Sequence, residues 1–257
     1  MRKLLLALFA AGAVSVAAPA QAQIQLGETG LTATVTGTFA SDYLFRGLSQ
    51  TRSRMAYQAG AEVEHSSGLY VGTFISNVRF LGVDARQEVD VYGGYRFTAF
   101  DTKFDVGFIG YLYPGYTAPM GGIPRLDFWE GYIMAKREIG PVTLSAAFHA
   151  SPDFFGTSGQ AFHLQGGVDY ATGIWDVTVA GRVGHQWIER NAVFAAPDYA
   201  WWSIGLSRPF EIPNVGTVTA TVAYYQSSIS TGRCFPSATG GQDVCGARAY
   251  GSLSIAF

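Results

Sequence analysis

Charged side chains are scarce in this 257-residue chain, at 14% of residues, yet they recur two apart inside apolar segments. Glu62 and Glu64, Glu88 and Asp90, and Lys103 and Asp105 are such pairs, and Arg96, Glu130, Lys136, Asp176 and Arg182 fall in the same phase. An i, i+2 spacing puts both members of a pair on one face of an extended strand. Mixed in sign and confined to one face, they suit the lining of a polar path for small hydrophilic solutes. Nucleophilic chemistry has less to stand on. Ser145 and His149 share a face but lie about 13 Å apart at roughly 3.3 Å per residue, beyond hydrogen-bond reach. His163 and His185 stand on separate segments, and no GxSxG, paired-histidine metal motif or phosphate loop occurs. The expectation is a chain that is not an enzyme and uses no cofactor and no metal.

The elements that must carry these residues read as strands. Gly, Tyr and Phe number 32, 14 and 18, a composition rich in strand formers and in residues that tolerate bends. Period-2 alternation predicts about twelve strands: Leu31–Phe45, Arg54–Glu64, Leu69–Asn77, Gln87–Phe97, Lys103–Tyr113, Asp127–Ile139, Val142–Ala150, Ala161–Tyr170, Trp175–Trp187, Tyr199–Ser207, Thr217–Gln226 and Arg248–Phe257. Their connections alternate in length. Residues 65–68, 98–101, 140–141 and 171–173 are tight turns, with a longer Pro209–Gly216 in the same phase. Gly47–Ser53, Val78–Arg86, Pro114–Arg125, Ser151–Gln160, Ile188–Pro197 and Ser227–Ala247 are longer loops. Short turns at one end and long loops at the other are the pattern of an outer-membrane barrel with both termini in the periplasm.

Which face points inward follows from size. About eight strands enclose a space that side chains can fill, whereas twelve enclose too much for a packed apolar interior. The apolar face therefore looks toward lipid, where a mid-depth charge would cost several kcal/mol. The charged face lines the lumen, with candidates Asp42, Arg46, Glu62, Glu64, Glu88, Asp90, Arg96, Lys103, Asp105, Glu130, Lys136, Asp176, Arg182 and Arg248. With Asp169 and Arg54 added, acids slightly outnumber bases, which implies weak cation preference. Asp42 and Arg46, about 13 Å apart on one strand face, must each find partners across strands or in the loop. Tyr57, Tyr95, Phe97, Trp129, Trp175 and Phe257 near strand ends suit interfacial aromatic girdles.

Both ends of the chain fit this compartment. Arg2 and Lys3 precede an apolar stretch from Leu4 to Ala18 and the small residues around Ala20-Gln21-Ala22, which predicts a signal peptide over residues 1–22 and a barrel over 23–257. The apolar run is shorter than the roughly 20 residues of a membrane-spanning helix. Loss of Arg2 and Lys3 takes the formal charge from −2 to −4, which points away from nucleic acid. Cys234 and Cys245, in one loop of an exported chain, predict a disulfide. The closing strand ends on Phe257, which resembles the signal read by the bacterial barrel-assembly machinery.

The segment SDYLFRGLSQT from Ser41 to Thr51, followed by SGLYVGTFISNV from Ser67 to Val78, resembles the hallmark of the TorF-like porins, proteobacterial outer-membrane proteins formerly grouped as conserved proteins of unknown function. Glu88 and Asp90 before Tyr92-Gly93-Gly94-Tyr95, FWEGYI around Glu130, SPDFFG from Ser151 and DYAWWSIGLS from Asp198 are also similar, so the resemblance spans nearly the whole mature chain. It implies an all-β, up-and-down transmembrane barrel with porin activity and outer-membrane lipid around it. The residues leave open a surface adhesin or structural barrel with a plugged lumen, and more remotely an outer-membrane lipid hydrolase. They specify no oligomeric state.

Overall fold

The structure, a computed structural model, describes residues 24–80, 82–213, 216–235 and 243–257. The predicted leader lies outside the described residues. Twelve long strands follow one another: β1 Leu31–Ala40, β2 Ala56–His65, β3 Leu69–Asn77, β4 Gln87–Ala99, β5 Thr102–Leu112, β6 Phe128–Ile139, β7 Val142–Ser151, β8 Ala161–Ala171, β9 Thr178–Ile188, β10 Tyr199–Ile212, β11 Gly216–Ser227 and β12 Arg248–Ala256. Each pairs antiparallel with its sequence neighbour, and β12 returns to β1 through Ser252↔Ala40 to Ala256↔Thr36. Phe257 completes that seam: its amide donates to the Val35 carbonyl at 2.9 Å and its carbonyl accepts from the Val35 amide at 3.1 Å. The sheet is thus the closed, twelve-stranded barrel that the alternation predicts, and closure leaves no long unpaired edge.

The outer face is apolar around its circumference. Val71, Phe108, Val183, Ile204, Val222 and Leu253 are all more than half exposed, far more exposed apolar surface than a water-soluble protein carries. Aromatics gather at its two rims. Phe39, Tyr57, Trp129, Trp187 and Trp202 mark the long-loop end, and Tyr95, Phe97, Tyr170, Phe210 and Phe257 the short-turn end.

Turn geometry adjusts the predicted strand limits. Gly68 turns β2 into β3 at φ +95°, and a Cβ there would strike the Arg96 carbonyl oxygen, so only glycine fits. Trp175 and Asp176 have φ of 51° and 57° and belong to the turn between β8 and β9. Thr172 ties that turn to the Val177 carbonyl through its amide at 3.0 Å and its hydroxyl at 2.7 Å. Asp176 is therefore exposed at the short-turn rim and does not face the lumen, contrary to its predicted place. The expected loop Pro209–Gly216 is mostly strand, since β10 runs through Pro209, opposite Thr219, to Ile212; proline's fixed φ suits extended backbone at the loss of one donor.

The largest departure lies after β1. The predicted strand continues to Phe45, but β1 stops at Ala40 and residues 41–55 fold into the barrel mouth. Within this segment Leu44–Phe45 pairs with Leu48–Ser49 around Arg46 and Gly47, both at positive φ (49° and 81°). Two consecutive residues at positive φ make the tight turn that matches the twist of a two-stranded ribbon.

Candidate functional site

Inward-facing side chains form two polar tiers. The tier nearer the short turns centres on Arg96 of β4. Its guanidinium donates to Glu62 and Glu64 of β2 at 2.6 Å and to Asp105 of β5 at 3.1 Å, and it lies 3.7 Å over the Tyr70 ring. Tyr70 donates to Asp105 and its hydroxyl meets that of Tyr132. One guanidinium thus serves three carboxylates, leaving this side of the wall with excess negative charge. Around the barrel, one guanidinium nitrogen of Arg182 of β9 donates to both carboxylate oxygens of Asp169 of β8, at 2.7 and 2.9 Å. Lys103 of β5 meets Glu138 at 3.0 Å, and Lys103 and Lys136 stand opposite one another in the β5–β6 register.

The tier nearer the long loops is built around the inserted segment. Arg46, at the tip of its turn, reaches Glu130 of β6 at 2.5 and 2.9 Å and donates to the Gln186 side-chain oxygen of β9 at 2.7 Å. Glu130 also accepts from the Tyr111 hydroxyl at 3.2 Å. Tyr43 donates to Glu88, which accepts a second bond from Tyr113 at 2.6 Å. Asp42 accepts from Ser49 at 2.7 Å, Thr51 at 2.6 Å and Arg248 of β12 at 3.3 Å. Arg46 and Glu130 are 6% and 1% exposed, so the pair has lost most of its hydration and holds only because several donors and acceptors meet there. Asp90, fully buried beside this tier, has no hydrogen-bond partner for either oxygen among the described residues.

The segment enters the mouth because its own sequence is amphipathic in this conformation. Phe45 packs on Tyr111 with centroids 5.6 Å apart, and Leu48 joins a buried cluster with Trp201, Tyr199, Ile229 and the Cys234–Cys245 disulfide. Gly47 lets the ribbon lie on Trp201, where a Cβ would come within 2.7 Å of the Trp201 Cβ. Trp201 in turn donates to His163 at 3.1 Å.

Of the candidate lining residues, Glu62, Glu64, Glu88, Asp90, Arg96, Lys103, Asp105, Glu130, Lys136, Arg182 and Arg248 are carried on the inner face of their strands, and Asp42 and Arg46 enter from the inserted segment. Asp42 and Arg46 find separate partners, as their separation requires. Asp176 leaves the set, and Arg54 lies exposed beyond the start of β2. Sequence reasoning passed over Tyr43, Tyr111, Tyr113 and Gln186. Tyr111 and Gln186 fall in phase with charged inner residues on their strands, so the alternation could have found them; Tyr43 becomes inner only because the chain leaves the strand.

In fold, the chain is similar to the KdgM porin, at 8% identity and a TM-score of 0.52 over 87% of this chain and 99% of that one. A second KdgM structure, in complex with disordered oligogalacturonate, matches equally. The NanC porin matches at 10% identity and a TM-score of 0.51, over 88% of this chain and 98% of that one. No curated protein sequence matches. Residues 25–257 match the family described as "Bacterial protein of unknown function (Gcw_chp)", and the chain belongs to that family.

Proposed function

We propose that this protein is an outer-membrane porin that lets small hydrophilic solutes or ions pass along its polar lumen, of the TorF-like kind that its first hairpin resembles. Short turns and both termini face the periplasm, and the long loops face outward. Phe257 is the residue the barrel-assembly machinery reads, and no enzymatic step is involved. One observation carries the reading: a closed barrel with an apolar, aromatic-rimmed outside holds mixed charges inside, bonded laterally to one another along its wall. A scaffold with no path to line would gain more from an apolar filling than from buried ion pairs. Inner acids outnumber inner bases, so weak cation preference is expected. Purified protein in a planar bilayer should show steady single-channel steps and a reversal potential displaced toward the cation in a salt gradient.

The inserted segment supports a second reading, in which it plugs the lumen and the barrel serves as a structural or adhesive surface. Then no steady open level appears in the same bilayer, with or without the segment's anchors.

A further inference from the structure

The mouth holds a feature that lateral ion pairs and a polar path do not use. Between the inserted segment, Arg79, Phe80 and Val83, residues 113–128, the Phe154–Gly156 turn and residues 192–195 lies a cavity of about 320 Å³. Its walls are largely apolar and rich in aromatic side chains. Phe80, Tyr113 and Phe155 pack edge to face at 5.5 to 5.9 Å, and Phe128 and Phe45 complete the floor. Among the described residues no carboxylate lines it. Among the described residues, the charged groups on its lining are Arg52 and Arg79, accompanied by the amide of Gln50. Arg54 and Arg86 border the same rim, where Asp84, the one acid among the described residues there, already accepts from the Thr117 amide at 3.0 Å. Neither Arg54 nor Arg79 makes an ion pair among the described residues. Arg54 beside it, with Arg52 and Arg86, holds the Arg79 guanidinium below the usual arginine range, the effect of like charges gathered at one rim.

We propose that this cavity binds an amphipathic carboxylate: an apolar, preferably aromatic body within the phenylalanine walls and its carboxylate at the Arg52 and Arg79 rim. The volume sits at the low end of the roughly 300 to 1,000 Å³ of small-molecule sites, which suits one ring with a short chain. Offset and edge-on ring contacts favour an aromatic body, and guanidinium forks are matched to a carboxylate. The cavity lies directly above Phe45, whose ring carries the Arg46 guanidinium 4.6 Å from its centroid. A molecule held there rests on the segment that fills the mouth.

The test uses the full barrel in lipid nanodiscs, because detergent tails would compete for an apolar cavity. Binding of 3-phenylpropionate, of its uncharged amide and of propionate is titrated by calorimetry and by ligand-observed NMR. Saturable binding of the aryl carboxylate, at least tenfold weaker binding of the amide and none of propionate are expected. Arg52→Gln with Arg79→Gln should erase the preference for the carboxylate while the barrel keeps its heat-modifiable mobility on gels. Equal binding of acid and amide, no saturable binding, or a preference that survives the double substitution would each overturn the proposal. Because binding is read without transport, a barrel that conducts can fail this test and one that does not can pass it.

Discussion

Replacing Arg46 by methionine tests whether the inserted segment is held by a buried ion pair. Methionine keeps the apolar stem of the side chain but removes the guanidinium and with it every donor. Glu130, 1% exposed, is then left with the Tyr111 hydroxyl at 3.2 Å. Stranding one member of a buried pair costs about 3 to 5 kcal/mol, which corresponds to a shift of roughly a hundredfold to a few thousandfold in the seating equilibrium of the segment. The barrel ladders do not involve this residue, so the cost should stay local. Hydrogen exchange separates the two: the Gln50 amide, bonded to the Tyr43 carbonyl at 2.7 Å, reports the segment, and the Phe257 amide, bonded to Val35, reports the closing seam. Arg46→Met should accelerate exchange at Gln50 by about a hundredfold or more and leave Phe257 unchanged, with larger or more frequent conductance steps if the lumen conducts. Glu130→Leu in the same background should recover most of the seating, because an apolar pair leaves no stranded charge. A loss below about 1 kcal/mol, the value of an exposed pair, would refute the reasoning, as would two single substitutions whose costs simply add.

Three further substitutions probe other parts of the site. Gly47→Ala forces a Cβ into the Trp201 side chain at φ 81°; it should release the segment about as far as Arg46→Met, read at the same Gln50 amide, while assembly on gels is unaffected. Asp90→Asn removes a buried carboxylate that has no hydrogen-bond partner among the described residues and should leave thermal unfolding unchanged or raise it, opposite in sign to Glu130→Gln, which breaks a satisfied pair. Replacement of Cys234 and Cys245 by serine restores to the unfolded loop the entropy that the disulfide removes, a loss of roughly 3 kcal/mol of stabilisation. Because the disulfide packs against Leu48 and Trp201, the effect should extend beyond its own loop to protease sensitivity of residues 41–55, whereas the barrel should still assemble.

Alternation, loop lengths and the scarcity of charge were enough to specify a twelve-stranded barrel and the inner face of its strands, because side-chain direction in a strand depends only on parity. The pairing of Arg96 with Asp105 follows once strand order is known, since β4 and β5 bring those positions side by side, whereas to reach Glu62 and Glu64 the guanidinium must span β3, over the Tyr70 ring. The limits of strands were less legible. Asp176 keeps the parity of a lumen residue, but a turn at positive φ carries it out to the rim, and nothing in a two-residue pattern distinguishes a strand's last residues from a turn's first. The inserted segment was hidden for the same reason. Leu44-Phe45-Arg46-Gly47-Leu48 continues the apolar alternation of β1, and its Arg-Gly step is equally a hairpin turn. The outcome rests on what waits across the barrel: Glu130 and Gln186 from strands far along the chain, and Trp201 with room for a residue that lacks a Cβ. Those partners are separated from Arg46 by 84, 140 and 155 positions, and only closure of the barrel brings them to it.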